Sequence, residues 1–314
     1  MADNETSASG TTAGGEPRRC GFIAVLGATN AGKSTLVNGI VGAKVSIVSH
    51  KVQTTRVPIR GIAIEGASQL VFIDTPGIFA PKRRLDRAMV DAAWGGAKDA
   101  DVVVLLVDAL RGLEDDVAVI LERLNGVHVP CLLALNKIDK VEDKSKLLKL
   151  VEEITARVTF ERVYMISALS GSGTGELKKH LARSVPLGEW HYPEDDISDA
   201  PMRLAAAEVT REKIYKWLHQ ELPYASTVET TSWKELKDGA VRIEQTIFVE
   251  RDSQKSIVLG KGGATIKRIS SEARHELLGM LERPVHLFLF VKVREGWGSD
   301  PERYREMGLD FPKE

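Results

Sequence analysis

Residues 26–35 read LGATNAGKST. Gly27, Gly32, Lys33 and Ser34 stand at the G-x-x-x-x-G-K-[ST] spacing, a pattern suited to holding polyphosphate. Small residues let backbone N–H groups approach phosphate oxygens, so Ala28, Thr29, Asn30 and Ala31 join the two glycines in one cradle. A helix starting here adds the positive end of its dipole, and Thr35 falls in its first turn. Lys33 has the reach for the β- and γ-phosphates, and the Ser34 hydroxyl suits Mg²⁺ bridging those oxygens.

Three further clusters follow in order. Asp74, Thr75, Pro76, Gly77 and Ile78 close the apolar run LVFI. An acid at a strand end holds Mg²⁺ through water, and Gly77 offers its backbone N–H to a γ-phosphate. Asn136, Lys137 and Asp139, in NKID, follow CLLAL. A carboxylate such as Asp139 accepts from both the N1–H and the exocyclic amine of guanine, whereas adenine presents an acceptor at N1 and is rejected. Ser167 and Ala168 end the next apolar run.

These clusters need a frame that brings strand ends together. GFIAVLG, QLVFID, ADVVVLLVDAL, VPCLLALN and VYMISAL are β-branched, continuous apolar runs separated by helix-length segments. They predict a mostly parallel, doubly wound α/β sheet with its ligands at the C-terminal strand ends. The pattern breaks after Pro186, where prolines and acids accumulate. We expect a disordered tail over 1–18, an α/β domain over 19–186, a linker over 187–200 and a separate α+β domain over 201–314. In the last, MRLAAAEVTREKIYKWLHQ reads as a helix, YASTVETTSW, AVRIEQTIFVER and VHLFLFVKV read as strands, and SIVLGKGGATIKRI reads as strand, glycine loop and helix.

The chain has 43 Lys and Arg against 44 Asp and Glu, so a nucleic-acid surface must be a local patch. Arg251–Arg268 is such a patch: five basic residues (Arg251, Lys255, Lys261, Lys267, Arg268) against one acid, Asp252. Within it Gly260, Lys261, Gly262 and Gly263 form G-x-x-G, the loop with which KH modules clamp about four nucleotides of single-stranded RNA. Ile257, Val258, Ile266 and Ile269 supply either an apolar floor for bases or plain core. The two cysteines, Cys20 and Cys131, lack metal spacing and suit a reducing compartment. The polar N-terminus has no apolar segment of the kind that directs export.

The order GATNAGKS, QTTR, DTPG, NKID and SA resembles that of translation-factor-class small GTPases, and QTTRVPIRGI, DTPGIFAPKRRL and ELPYASTVE are similar to the Era family of ribosome-assembly GTPases. With the G-x-x-G half, read as a type II KH domain, the similarity spans nearly all of the chain after its tail. The resemblance implies GTP hydrolysis, with Lys33, Thr55 and Gly77 in catalysis and Ser34, Thr55 and Asp74 around Mg²⁺; Thr54 is the alternative to Thr55. It assigns Asn136, Lys137 and Asp139 to guanine and lines the base with Ser167 and Ala168. It implies binding of the 3′ end of 16S rRNA and action in 30S subunit assembly, by a cytoplasmic monomer touching the inner membrane at most peripherally. The helix Met202–Gln220 is the candidate for that contact, or else it packs on the KH sheet.

Ile78 stands where Ras-like GTPases carry a water-positioning Gln, which predicts slow intrinsic hydrolysis. Asn30 is a candidate K⁺ ligand by the same resemblance, or a local loop hydrogen bonder. Switch I is expected over about 46–61 and switch II from Gly77 to about Ala93, both ordered by GTP. A scaffold in which nucleotide is structural remains the rival reading. A tRNA-modifying GTPase is disfavoured, because the C-terminal half lacks the cysteine or cofactor machinery.

Overall fold

The fold is described from a computed structural model, covering residues 17–312 except 50, 52, 53, 57, 220 and 221. Most of the expected N-terminal tail, and Gln53 of QTTR, lie outside the described residues. The chain divides into two compact units. The first takes in residues up to Ser46, Val57–Ala80 and Met89–Asp199; the second takes in Ile47–Arg56, Pro81–Ala88 and the remainder from Ala200.

The first unit runs β1 (Arg19–Leu26), α1 (Lys33–Val41), β2 (Ile59–Glu65), β3 (Ser68–Asp74), α2 (Arg84–Lys98, whose first turn groups with the second unit), β4 (Val102–Asp108), α3 (Asp115–Leu124), β5 (Cys131–Asn136), α4 (Ser145–Thr155), β6 (Arg162–Met165) and α5 (Thr174–Ser184). Its sheet order is β2-β3-β1-β4-β5-β6, with all pairs parallel except β2 with β3. β3, β4 and β5 are buried along their whole length, because separate apolar layers cover both faces of the sheet. β2 is absent from the apolar runs read above. Its Gly61 and Glu65 interrupt the hydrophobic signal, and a turn at Gly66 folds it back on β3.

The segment read as a linker is fastened to this unit. Gln69 Oε1 accepts from the His191 and Tyr192 amides, and Trp190 Nε1 donates to Ala67 O at 3.1 Å. The Ile62 amide donates to Ile197 O. Arg18, expected in the tail, stacks over the Trp190 ring at 5.1 Å. Prolines and acids signalled irregular backbone there, not a detached one.

The second unit contains α6 (Met202–Trp217), β7 (Ser226–Glu235), β8 (Val241–Val249), α7 (Asp252–Leu259), α8 (Ala264–Leu281), β9 (Val285–Val293) and α9 (Pro301–Glu306). Its sheet runs β7-β8-β9, antiparallel then parallel. SIVL is helical within α7, against the expected strand. A three-residue apolar run cannot choose between the two states, and the Gln254 side chain caps the helix start by accepting from the Glu250 amide at 2.8 Å.

Candidate functional site

β1 delivers the chain to the cradle and α1 carries it away. Gly27 has φ 156°, and a Cβ there would lie 2.4 Å from the Leu106 carbonyl oxygen. Gly32, at φ 101°, would put a Cβ 2.3 Å from Asn136 Nδ2. Neither position accepts a side chain. Gly32 caps α1 without a side-chain hydrogen bond, which leaves the first-turn N–H groups for an anion. Lys33 is buried, its Nζ donating to Gly27 O at 3.1 Å and Ala28 O at 2.9 Å. Burial pulls its pKa down to about 8, opposed by the nearby Asp74 carboxylate. A cation held at that cost needs anionic partners.

β3 ends at Asp74, fully buried, whose Oδ2 accepts from Ser34 Oγ at 2.7 Å. Two hard oxygen donors at one point fit Mg²⁺. The Thr75 hydroxyl donates to Val25 O at 2.7 Å, pinning the β3 end to β1, and Pro76 is buried. Gly77 abuts the cradle so closely that a Cβ would lie 2.9 Å from Thr29 Cα. Ile78 corrects the expectation that it lines the nucleotide. Its side chain lies in the core beside Ala28, and its amide donates to Gly27 O at 3.1 Å.

β5 brings Asn136 to the same edge. Its Nδ2 donates to Ala31 O at 2.8 Å and its Oδ1 accepts from the Ala168 amide at 2.9 Å, so it braces the cradle against the Ser167–Ala168 loop. Lys137, at φ 64°, donates to Asn30 O at 2.7 Å and to Asp108 Oδ2 at 2.6 Å. Asp139 is exposed, and a hydrogen bond from the Ser167 hydroxyl holds its carboxyl below the usual range. The sequence reading missed Asp108 and Arg111. Asp108 carries a legible signal, an acid at the end of an apolar strand, the same signal that marked Asp74. Arg111 carries none.

In the second unit, a Cβ on Gly260 (φ 73°) would lie 2.2 Å from Thr265 Oγ1, whereas Gly262 and Gly263 face open space. Lys261, Lys267, Arg251 and Ile257 are exposed, and Lys255 and Ile266 half-buried. Val258 is fully buried beside Ile214 and Ile247, which removes it from the expected RNA contacts. Ile269 is core as well. Arg268 is already engaged, its guanidinium 3.2 Å from the Trp217 ring centre and its Nε 3.7 Å from Glu272. Phe288 and Phe290, on β9, are 42% and 48% exposed. α6 is buried along Ala206–Tyr215 apart from Glu208, and its Ala206, Ala207, Val209 and Ile214 pack into the core of its own unit.

Ile47–Arg56, within the segment expected as switch I, groups with this second unit. The Val48 amide donates to Glu212, and Lys51 Nζ donates to the carbonyls of Tyr215 and Leu218 at the end of α6. Arg211 donates to Thr54 O, and Thr55 is buried. Arg56 donates to Ser226 O at 2.8 Å and to Pro223 O and Tyr224 O, both at 3.1 Å. Glu212 in turn holds Lys213, which also reaches Glu276 on α8, the helix that begins at the glycine loop.

A family model described as 50S ribosome-binding GTPase matches residues 22–137, and one described as KH domain matches 221–298. The chain is 66% identical over 303 residues to GTPase Era of Rhizobium meliloti (strain 1021), covering 96% of each. It is 61% identical over 313 residues to GTPase Era of Agrobacterium fabrum (strain C58), covering 100% of this chain and 98% of that one. Among solved structures, a variant of Aquifex aeolicus Era bound to GDP·AlF4⁻ aligns with a TM-score of 0.88 at 37% identity, over 92% of this chain and 99% of the other. Era in complex with MgGDPNP and nucleotides 1506–1542 of 16S ribosomal RNA also aligns at 0.88 and 37% identity, over 93% and 99%.

Proposed function

This chain belongs to the Era family of GTPases, and from that premise we propose how its residues divide the work. One sheet edge carries the reading: the cradle, the Ser34–Asp74 oxygen pair and the Asp139–Ser167 pair all stand at C-terminal strand ends of a single sheet.

The backbone of residues 27–35 holds the phosphates of GTP or GDP. Lys33 leaves its two carbonyl partners for the phosphate oxygens, which restores its charge. Ser34 and Asp74, joined by Thr55 in the GTP state, hold Mg²⁺, which neutralises charge on the phosphates. Asp139 accepts from guanine, Asn136 and Lys137 fix the geometry around it, and Ser167 and Ala168 line the base. Gly77 senses the γ-phosphate with its amide. Hydrolysis is slow because Ile78 lies in the core and orients no water. Asn30 is where the family resemblance places K⁺; equal GTPase rates in KCl and NaCl at matched ionic strength would remove that assignment.

The second unit binds the 3′ end of 16S rRNA through Gly260–Gly263, Lys255, Lys261, Lys267, Arg268, Arg251, Ile257 and Ile266, and serves assembly of the 30S subunit. The solved complex of a relative with that RNA supports this reading. Switch I is the coupling element. A change in the position of Thr55 between nucleotide states would be passed to its neighbours Val48, Lys51 and Arg56, whose partners Glu212, Tyr215 and Ser226 lie in the RNA-binding unit. The protein works as a monomer in the cytoplasm, with at most peripheral contact with the inner membrane. Among the described residues no helix is long and apolar enough to cross a membrane. Turnover of GTP with and without the RNA separates this switch from a scaffold in which nucleotide is structural: a scaffold shows no turnover in either case.

A further inference from the structure

Five consecutive carbonyls of the cradle accept from side-chain nitrogens. Lys33 holds Gly27 O and Ala28 O, Arg111 Nη1 holds Thr29 O at 3.2 Å, Lys137 holds Asn30 O and Asn136 holds Ala31 O. In a planar peptide, the carbonyl of one residue and the N–H of the next point in opposite directions. Tying the Thr29 carbonyl therefore aims the Asn30 amide the opposite way. Asn30 is the strained residue of the set, at φ 61°, and its two flanking carbonyls are the ones held by Arg111 and Lys137.

We propose that Arg111 is a positioning residue of the phosphate cradle, acting through the Thr29–Asn30 peptide to aim the Asn30 N–H at the polyphosphate. The proposal rests on reading residues 27–35 as that cradle. Arg111 stands in the turn after β4, where Glu114 grips its guanidinium through Nε at 3.0 Å and through Nη2. The fork holds the guanidinium against Thr29 O.

The arrangement has a chemical consequence. Phosphoryl transfer spreads negative charge over the phosphate oxygens, and a peptide polarised by a cation at its carbonyl donates more strongly from its N–H. When Lys33 moves to the phosphates, Gly27 O and Ala28 O lose their cation, while Arg111 and Lys137 stay. Arg111 thus keeps the Thr29–Asn30 peptide polarised in a protein whose Ile78 cannot place water.

The test uses the full chain with Arg111→Ala, Arg111→Lys and Glu114→Gln. Binding of GDP and of guanosine, which lacks phosphate, is measured by calorimetry beside kcat and KM for GTP. Losing one charged hydrogen bond in Arg111→Ala should weaken GDP binding and lower kcat by about tenfold each. Guanosine affinity should stay within about twofold, Arg111→Lys should recover most of the GDP affinity, and Glu114→Gln should shift it the same way by less. Unchanged GDP binding and kcat in Arg111→Ala would overturn the proposal. A parallel loss of guanosine affinity would also overturn it, because the residue would then support the fold in general. A wild type that binds no GDP overturns the cradle reading and this inference together; equal binding by wild type and variants overturns only the role of Arg111.

Discussion

Two glycine turns that each open a helix, Gly27–Gly32 before α1 and Gly260–Gly263 before α8, are treated differently by the fold. The first is closed in. Its glycines touch Leu106 O and Asn136, its carbonyls are tied one by one, and its lysine is buried. The second is tight for a side chain only at Gly260, where a Cβ would strike Thr265; a Cβ on either of its next two glycines would meet nothing within 4 Å. A small anion needs every donor placed beforehand, because reorganising the loop would use up the binding energy. A polymer needs a surface it can reach along its length, and charge recruits it before close contact forms.

Gly27→Ala presses hardest on that contrast. The new methyl must displace the Leu106 carbonyl in β4, so we expect nucleotide binding to be lost, with destabilisation of several kcal/mol. Thermal unfolding and GDP calorimetry check both parts. Gly262→Asp is the opposite case. The site is open, and Asp tolerates φ 59°, so the unfolding midpoint and GTPase rate should stay put. RNA affinity should fall by about tenfold or more from the added negative charge, read by fluorescence anisotropy at one fixed salt.

Lys33 gives the first turn a pH signature. Its folded pKa, about 8, lies below the ordinary 10.5, so the unfolded chain binds more protons between those values. The burial penalty on Lys33 is fully present below pH 8 and disappears as pH rises to 10.5. It amounts to about 3 kcal/mol. Lys33→Met should therefore stabilise the nucleotide-free protein at pH 7 while abolishing tight GDP binding. GDP binding to the wild type should take up protons above pH 8, seen as a buffer-dependent enthalpy in calorimetry. The smallest effects separate two neighbours. Val258→Ala should cost about 1–2 kcal/mol of stability, since it empties core. Ile257→Ala should leave stability within about 0.5 kcal/mol and weaken RNA binding by a few-fold.

The two turns also differed in how far the sequence could be read. The phosphate cradle needs fixed residue types at fixed spacing, so Gly27, Lys33, Ser34, Asp74 and Asn136 were legible, and the structure brings them to one edge. The second turn was legible as a short G-x-x-G spacing and a basic composition, but its apolar flank was not: SIVL read as strand but is the end of α7, and Val258, left open between a floor for bases and core, is core. Short apolar runs do not reveal their own face. β2 escaped because Gly61 and Glu65 blur its pattern. Ile78 and Asp108 show the other limit. Which way Ile78 turns, and that Asp108 holds Lys137, depend on tertiary contacts with no sequence period. The ties of Lys51 and Arg56 to α6 and β7 join residues more than 150 positions apart, which only the folded chain displays.

The central claim is that switch I, built into the RNA-binding unit through Val48, Lys51 and Arg56, makes RNA binding answer to the nucleotide. The measurement is the affinity for a short single strand copying the 3′ end of 16S rRNA, with a GTP analogue and with GDP, at one fixed salt. The account predicts tighter binding with the analogue, and a difference that shrinks in Arg56→Ala. Equal affinity in the two nucleotide states would contradict it.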